Sequence, residues 1–356
     1  MKKWMVTILT AALLWAPPCL AAEPASFPQV DELWSQAEDY GVEPGEGLEA
    51  GLSSLFSDAL EQAGELLRAC AATGVKLLAV VVLCALAQGL RPEGGEEFPA
   101  VEVGGALAIT ALTMTDMEAM IGLGRETIGK MDAFSSVLLP AMAVLTAATG
   151  GITGAAVRQS ATVLFSQLLI TAMDRLLIPM IYGYVALSCA YAAAGNPGLK
   201  KLAELIRGTA VFLLSALLLA FVGYLTASGA IAGSVDASAV KAAKLAISRA
   251  IPVVGGVLAD ASETVLAGAG VLRGTVGAAG LVVVLTICLV PFLRLGIQYL
   301  VYKVTAALCA TVAQPRLGQL IEAIGAAFGL VLGMTGAGAL VLLVSLVSAV
   351  SAVVPA

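Results

Sequence analysis

The sequence contains no histidine among its 356 residues, and charged residues make up only 12% of it. Histidine is the usual acid–base residue at neutral pH and the commonest metal ligand, so its absence removes the ordinary basis for both kinds of site. Neither a phosphate-binding loop of the GxxxxGK(S/T) type nor a GxSxG nucleophile motif occurs. We therefore predict that the protein is not an enzyme and has no metal or cofactor.

Two further features are scarce. The six cysteines form no CxxC pair, and most of them lie in apolar stretches, which is typical of small side chains packed within helices. No strongly basic block occurs, and the formal net charge is −6, so the electrostatic signature of a nucleic-acid-binding protein is missing. We expect no nucleic-acid partner.

Apolar residues, in contrast, are abundant, at 59% of the chain, and the mean hydropathy is +0.96. Many lie in runs of about 18 or more residues, the length that crosses roughly 30 Å of hydrocarbon. These runs are rich in glycine and alanine, which allow membrane helices to approach closely. The sequence predicts an all-α, polytopic membrane protein in a lipid bilayer, with about eight spans and a range of six to ten.

The chain divides into three predicted regions. Residues 1–22 resemble a signal peptide, with two lysines, an apolar stretch and small residues before a cleavage site; an uncleaved anchor is the alternative. Residues 23–72 form an acidic exported region, and a three- to four-residue apolar period predicts an amphipathic helix over 48–70. This helix is expected either to dock on a partner protein or on the chain's own membrane domain, or to lead into the first span. Residues 73–356 form the predicted membrane domain.

A weak internal repeat relates residues 135–228 to residues 250–354. Pro140 and Pro179 align with Pro252 and Pro291 at one spacing, and Asn196-Pro197 aligns with Gln314-Pro315 at a slightly larger one. Chance similarity between prolines and leucines is the competing explanation. If each unit has three spans, the odd number predicts an inverted repeat, as in many transporters.

Ionisable residues inside predicted spans are costly, at roughly 2.5–3.5 kcal/mol each on insertion scales, so they are candidates for function. Asp174 and Arg175 precede Pro179, and Arg294 follows Pro291. A proline interrupts helix hydrogen bonding, which leaves polar backbone that can face a cavity. Two broken helices lining a polar path are therefore one interpretation. The alternative is that these charges lie at interfaces or pair locally.

Two further carboxylates, Asp260 and Glu263, are three residues apart and share a helical face after Pro252. They could bind a cation or relay a proton, although a polar joint between helices or a nearby arginine would satisfy them equally well. Pro140, in another apolar run, completes the set of four prolines predicted to break helices.

Several of these segments resemble the stage III sporulation protein AE family of endospore-forming bacteria. The resemblance covers about residues 125–345 and is most specific in AIPVVGGVLADASETV at residues 250–265. Further similar segments are GAAGLVVVL at 277–285, CLVPFLRL at 288–295, YKVTAA at 302–307 and LPAMAVLTAATGG at 139–151. The region before residue 125 departs most from the family pattern.

The resemblance implies a role in sporulation. Members of the family are regarded as part of a channel, or feeding apparatus, that links the mother cell to the forespore and sustains late forespore gene expression. It also implies a multi-pass location in the mother-cell membrane facing the forespore and other stage III A sporulation proteins as partners. Two alternatives remain open, namely a stand-alone secondary transporter of a small solute and a membrane scaffold for partner proteins.

Overall fold

The computed structural model describes five stretches of the chain, residues 48–89, 99–148, 164–227, 275–312 and 315–353. Within them the backbone forms six long helices and no strand. The helices are α1 (Leu48–Gly89), α2 (Pro99–Ala148), α3 (Leu164–Ala194), α4 (Pro197–Ala227), α5 (Thr275–Val312) and α6 (Pro315–Val353).

All six helices of the described part are long and apolar enough to cross a bilayer. This agrees with the all-α membrane class predicted from composition, and the protein is a multi-pass helical membrane protein. Six is the lower end of the predicted range, and the count of eight is not confirmed.

The difference arises partly in α2. Two separate spans in the apolar runs at about 101–122 and 135–156 would need a joint in the charged stretch between them. Instead a single helix of 50 residues runs from Pro99 to Ala148, about 75 Å at 1.5 Å per residue. The joint contains no proline, and its charges support the helix, since Lys130 pairs with Glu126 one turn earlier at 2.8 Å. Charge alone therefore does not interrupt a helix here.

The last helix, α6, lies at the centre of the bundle. In its most apolar stretch 94% of residues are buried, against 17–39% in the other five helices. Glycines in α6 let α5 approach closely. A Cβ atom at Gly329 would lie only 2.9 Å from the Tyr299 ring, and one at Gly325 would lie 3.0 Å from Tyr302 Cβ. Helices α2 and α3 also pack against α6.

The four helices from α3 to α6 form two hairpins. The first turns at Gly195, whose φ of +66° is left-handed and therefore suits glycine. A Cβ atom there would meet the Arg316 guanidinium, so both hairpin turns lie at the same end of the bundle. Near the other end, the hydroxyls of Ser166 and Ser345 are 3.4 Å apart. The hairpins therefore run in the same direction, and the inverted repeat is not confirmed.

Of the four prolines predicted to break helices, the structure describes three, and none of these three ends a helix. Helix α2 continues past Pro140 and α5 continues past Pro291, whereas Pro179 follows a π-helical turn, Met173–Leu177, inside α3. Such turns widen a helix locally and are frequent at functional sites. Pro252 lies outside the described residues.

The predicted signal peptide at 1–22 also lies outside the described residues. Helix α1 begins at Leu48 and passes without interruption from the predicted amphipathic stretch into the first span. The division between an exported region and a membrane domain at residue 72 therefore stays a prediction.

Candidate functional site

A polar cluster occupies the contact between α2 and α5. The Asp116 carboxylate of α2 accepts two hydrogen bonds through Oδ2, from Gln298 Nε2 at 3.0 Å and from the Tyr302 hydroxyl at 2.9 Å. Both donors are deeply buried, and Asp116 itself is half-buried. The two donors are four residues apart, so α5 presents them on one face, one helical turn apart.

Two more helices support this cluster. From α1, the Cys70 thiol donates to Gln298 Oε1 at 2.6 Å, which directs the Gln298 amide nitrogen toward Asp116. From α6, the Phe328 ring meets the Tyr302 ring edge-on, with centroids 4.9 Å apart. Four helices therefore fix the position of one carboxylate.

The cluster is unusual because the hydrogen-bond donors to its carboxylate are neutral, while Arg294, one turn before Gln298 on α5, interacts electrostatically with Cys70 of the cluster. Among the described residues, Asp116 forms no ion pair. A carboxylate placed in an apolar bundle is costly unless hydrogen bonds or a counter-charge compensate. Two neutral donors stabilise its charge only in part. Such a site can hold the helices in register, and it can accept a proton or a small cation.

The sequence interpretation did not select this site. None of Asp116, Gln298 and Tyr302 was among the candidate site residues. One signal was available, namely two polar side chains one turn apart in the apolar sequence of α5. Their partner is 182 and 186 residues away, and sequence spacing alone does not reveal contacts over that separation.

The predicted candidate Asp174 has a different environment. It lies in the π-helical turn of α3 and forms a two-point ion pair with Arg125 of α2, with Nε–Oδ1 at 2.7 Å and Nη2–Oδ2 at 3.4 Å. The pair is open, since 65% of the Arg125 side chain and 37% of the Asp174 side chain are exposed. The structure thus pairs Asp174 with a residue that was not a candidate.

The remaining candidates do not join one site. Arg175 and Arg294 are both exposed, on α3 and α5 respectively, and Asp174 pairs with Arg125 rather than with either of them. Asp260 and Glu263 lie outside the described residues. A polar path lined by these five charges therefore stays a prediction.

A second set of charges lies near the end of the bundle that contains both hairpin turns. Arg316 donates to Glu102 at 2.6 Å, joining the first turn of α6 to that of α2. The Glu102 side chain is only 15% exposed. Further along α6, Glu322 pairs with Lys303 of α5 at 2.9 Å. Both pairs connect different helices and so act on packing.

The described residues show no metal site. They contain no group of three or more cysteine, aspartate or glutamate side chains that could hold an ion. The five described cysteines are free thiols, spread over α1, α3 and α5.

Comparison with known proteins identifies similar sequences over most of the chain. A family model described as stage III sporulation protein AE matches residues 45–353. The chain is also 25% identical over 273 residues to the stage III sporulation protein AE of Bacillus subtilis (strain 168). That match covers 76% of this chain and 66% of the relative, slightly less than two thirds of its length.

No solved structure matches the chain. The family match covers most of the sequence and includes all six helices, and the family is described by its stage of sporulation rather than by an enzymatic activity. The chain therefore belongs to the stage III sporulation protein AE family, and it is a sporulation-related multi-pass membrane protein.

Proposed function

We propose that this protein is a membrane component of the transport apparatus that connects the mother cell with the forespore. Family membership supports a role in sporulation, and the multi-pass architecture supports a location in a membrane. In this role the protein resides in the mother-cell membrane and works with other stage III A sporulation proteins.

The observation that most favours a conduit over a passive anchor is the Asp116 cluster. An anchor does not require a carboxylate inside its bundle, because well-packed apolar side chains can hold helices together at lower cost. Ionisable groups inside membrane domains commonly mark pathways for ions, protons or solutes. A carboxylate held by Tyr302 and Gln298, with no ion-pair partner in the described part of the chain, fits such a pathway.

The proposal is tested first by deleting the gene in its native spore former and following sporulation with compartment-specific reporters. We expect a block after engulfment, with failed late forespore expression, and full rescue by the intact chain. Normal spores in the deletion strain would contradict the proposed role.

A second experiment separates the conduit from a stand-alone transporter. The purified protein is reconstituted into liposomes alone and together with the other stage III A proteins, and leakage of entrapped solutes of graded size is measured. We expect solute movement only with partners present, since a conduit component is incomplete alone. Flux through the protein alone would instead identify a transporter.

A third experiment separates the conduit from a scaffold. Asp116→Asn is introduced, and Asp132→Asn serves as the matched control, because Asp132 lies on the same helix with an exposed side chain. We expect Asp116→Asn to be inserted and to retain its partners but to lower late forespore expression. A scaffold requires both variants to support normal sporulation.

A further inference from the structure

A cleft of about 390 Å³ lies between α4, α5 and α6, and none of its lining residues belongs to the Asp116 cluster. This volume falls within the range of small-molecule sites, roughly 300–1,000 Å³. It is partly open to the surroundings, and charged, aromatic and apolar side chains from three helices line it. These side chains are Glu204, Arg207 and Val211 of α4, Tyr299 and Lys303 of α5, and Ala326 of α6.

The charges in this cleft are not all neutralised by one another. Lys303 is paired with Glu322 at 2.9 Å. Arg207 lies beside the Tyr184 hydroxyl, and neither Arg207 nor Glu204 has an ion-pair partner among the described residues. They are three residues apart on α4, so a guanidinium and a carboxylate project from one face into the same cleft. The cleft thus offers one cationic and one anionic group to a ligand.

The sides of the cleft are apolar and exposed. On α4, Leu205 and Phe212 adjoin the lining residues and are 64% and 72% exposed. On α5, Leu300 and Val304 adjoin the lining residues Tyr299 and Lys303, and each is 58% exposed. Exposed apolar side chains on candidate membrane spans face lipid, so a lipid molecule can reach the cleft from within the bilayer.

We propose that this cleft binds a phospholipid whose headgroup has both a phosphate and a primary ammonium, as in phosphatidylethanolamine. The phosphate accepts hydrogen bonds from Arg207, the ammonium donates to Glu204, and an acyl chain lies along Val211 and Ala326. A purely anionic lipid leaves Glu204 uncompensated and repels it. A choline headgroup cannot donate a hydrogen bond to Glu204.

The proposal does not depend on the conduit role, because it concerns binding by the isolated protein. The test uses the purified full-length chain in detergent. Native mass spectrometry measures retention of phosphatidylethanolamine, phosphatidylglycerol and phosphatidylcholine added at equal concentrations. We expect the ethanolamine lipid to be retained most strongly.

Substitutions then assign the two headgroup contacts. Arg207→Gln lowers retention of the ethanolamine lipid about tenfold, since a charge-assisted hydrogen bond is lost. Arg207→Lys retains most of the binding, because the positive charge remains. Glu204→Gln removes the preference for ethanolamine over choline. The control Lys201→Gln makes the same charge change at an exposed position of α4 and leaves retention unchanged.

A further variant blocks the cleft without altering its charges. Gly208 lines the cleft, and a Cβ atom built there meets nothing within 4 Å. Gly208→Leu therefore fits the helix and fills the space, and we expect it to abolish selective retention even if the arginine variant folds poorly.

Preference for the glycerol lipid, equal retention of all three lipids, or unchanged retention in Gly208→Leu would overturn the proposal. Displacement of the bound lipid by soluble phosphoethanolamine at similar concentration would identify a water-soluble ligand instead.

Discussion

Two aspartates in this bundle, Asp116 and Asp174, have opposite surroundings. Asp174 forms an exposed, two-point ion pair with Arg125, whereas Asp116 is held by two buried neutral donors from another helix. Asp174 was the more noticeable in the sequence because it stands before a proline. The comparison shows that the sequence neighbours of an ionisable group do not reveal its role. Its partners in the fold decide whether a nearby opposite charge neutralises it or whether its charge stays available to a transport pathway.

The Glu102–Arg316 pair is intermediate between these two cases. It is an ion pair like that of Asp174, but its carboxylate is only 15% exposed, against 37% for Asp174. Burial and partner type therefore rank the three carboxylates. Substitution at each should reproduce this order in the free energy of unfolding.

The largest effect is expected at Asp116. Asp116→Ala leaves the buried Tyr302 hydroxyl and Gln298 amide without their acceptor, so stability should fall by about 2–4 kcal/mol. Unfolding in mixed detergent–SDS micelles measures the change. An effect no larger than that of Asp132→Ala, the exposed control on the same helix, would show that the cluster does not stabilise the bundle.

The next effect is expected at one of the donors. Tyr302→Phe keeps the ring packed against Phe328 and removes only the hydroxyl, leaving Asp116 with Gln298. We expect a loss of about 1–2 kcal/mol. A double-mutant cycle with Asp116→Ala checks the assignment, since a coupling energy near zero would contradict the hydrogen bond.

A smaller effect is expected at Glu102. Glu102→Gln keeps the shape of the side chain but removes the negative charge beside Arg316, at a cost of about 1 kcal/mol. The same unfolding measurement applies, and raised salt should weaken the wild-type contact only slightly because Glu102 is largely buried. Strong salt dependence would mean that the pair is more exposed than described.

The smallest effect is expected at Asp174. Exposed ion pairs contribute roughly 0.2–1 kcal/mol, so Asp174→Asn should lie within that range and become undetectable at high salt. A loss above 2 kcal/mol would reverse the ranking and identify the π-helical turn as the more important site.

Composition was sufficient to predict the helical membrane class, since 59% apolar residues in long runs permit few other folds. The number of spans was harder to predict. The charged stretch within α2 looked like a joint, but nothing in it breaks a helix, so the helix continues. The prolines were interpreted in the same way, as interruptions, and α2 and α5 likewise pass through Pro140 and Pro291 without ending.

The site was only partly predictable. Sequence reasoning identified Asp174 as notable and offered pairing among the nearby candidates as an alternative, but it did not find Arg125, which is 49 residues away on another helix. It missed the Asp116 cluster because the hydrogen-bonded residues come from three helices, α1, α2 and α5, and none of them is near a recognised sequence motif. Hydrogen bonds across a bundle depend on how the helices pack. The apolar periodicity of one helix does not show which residues of another helix will pack against it.

The most direct test of the account compares Asp116→Asn with Asp174→Asn in the native spore former, by measuring late forespore reporter expression after engulfment. The account predicts a marked loss with Asp116→Asn and near-normal expression with Asp174→Asn, at equal protein levels. Normal expression with both variants, or loss only with Asp174→Asn, would contradict it.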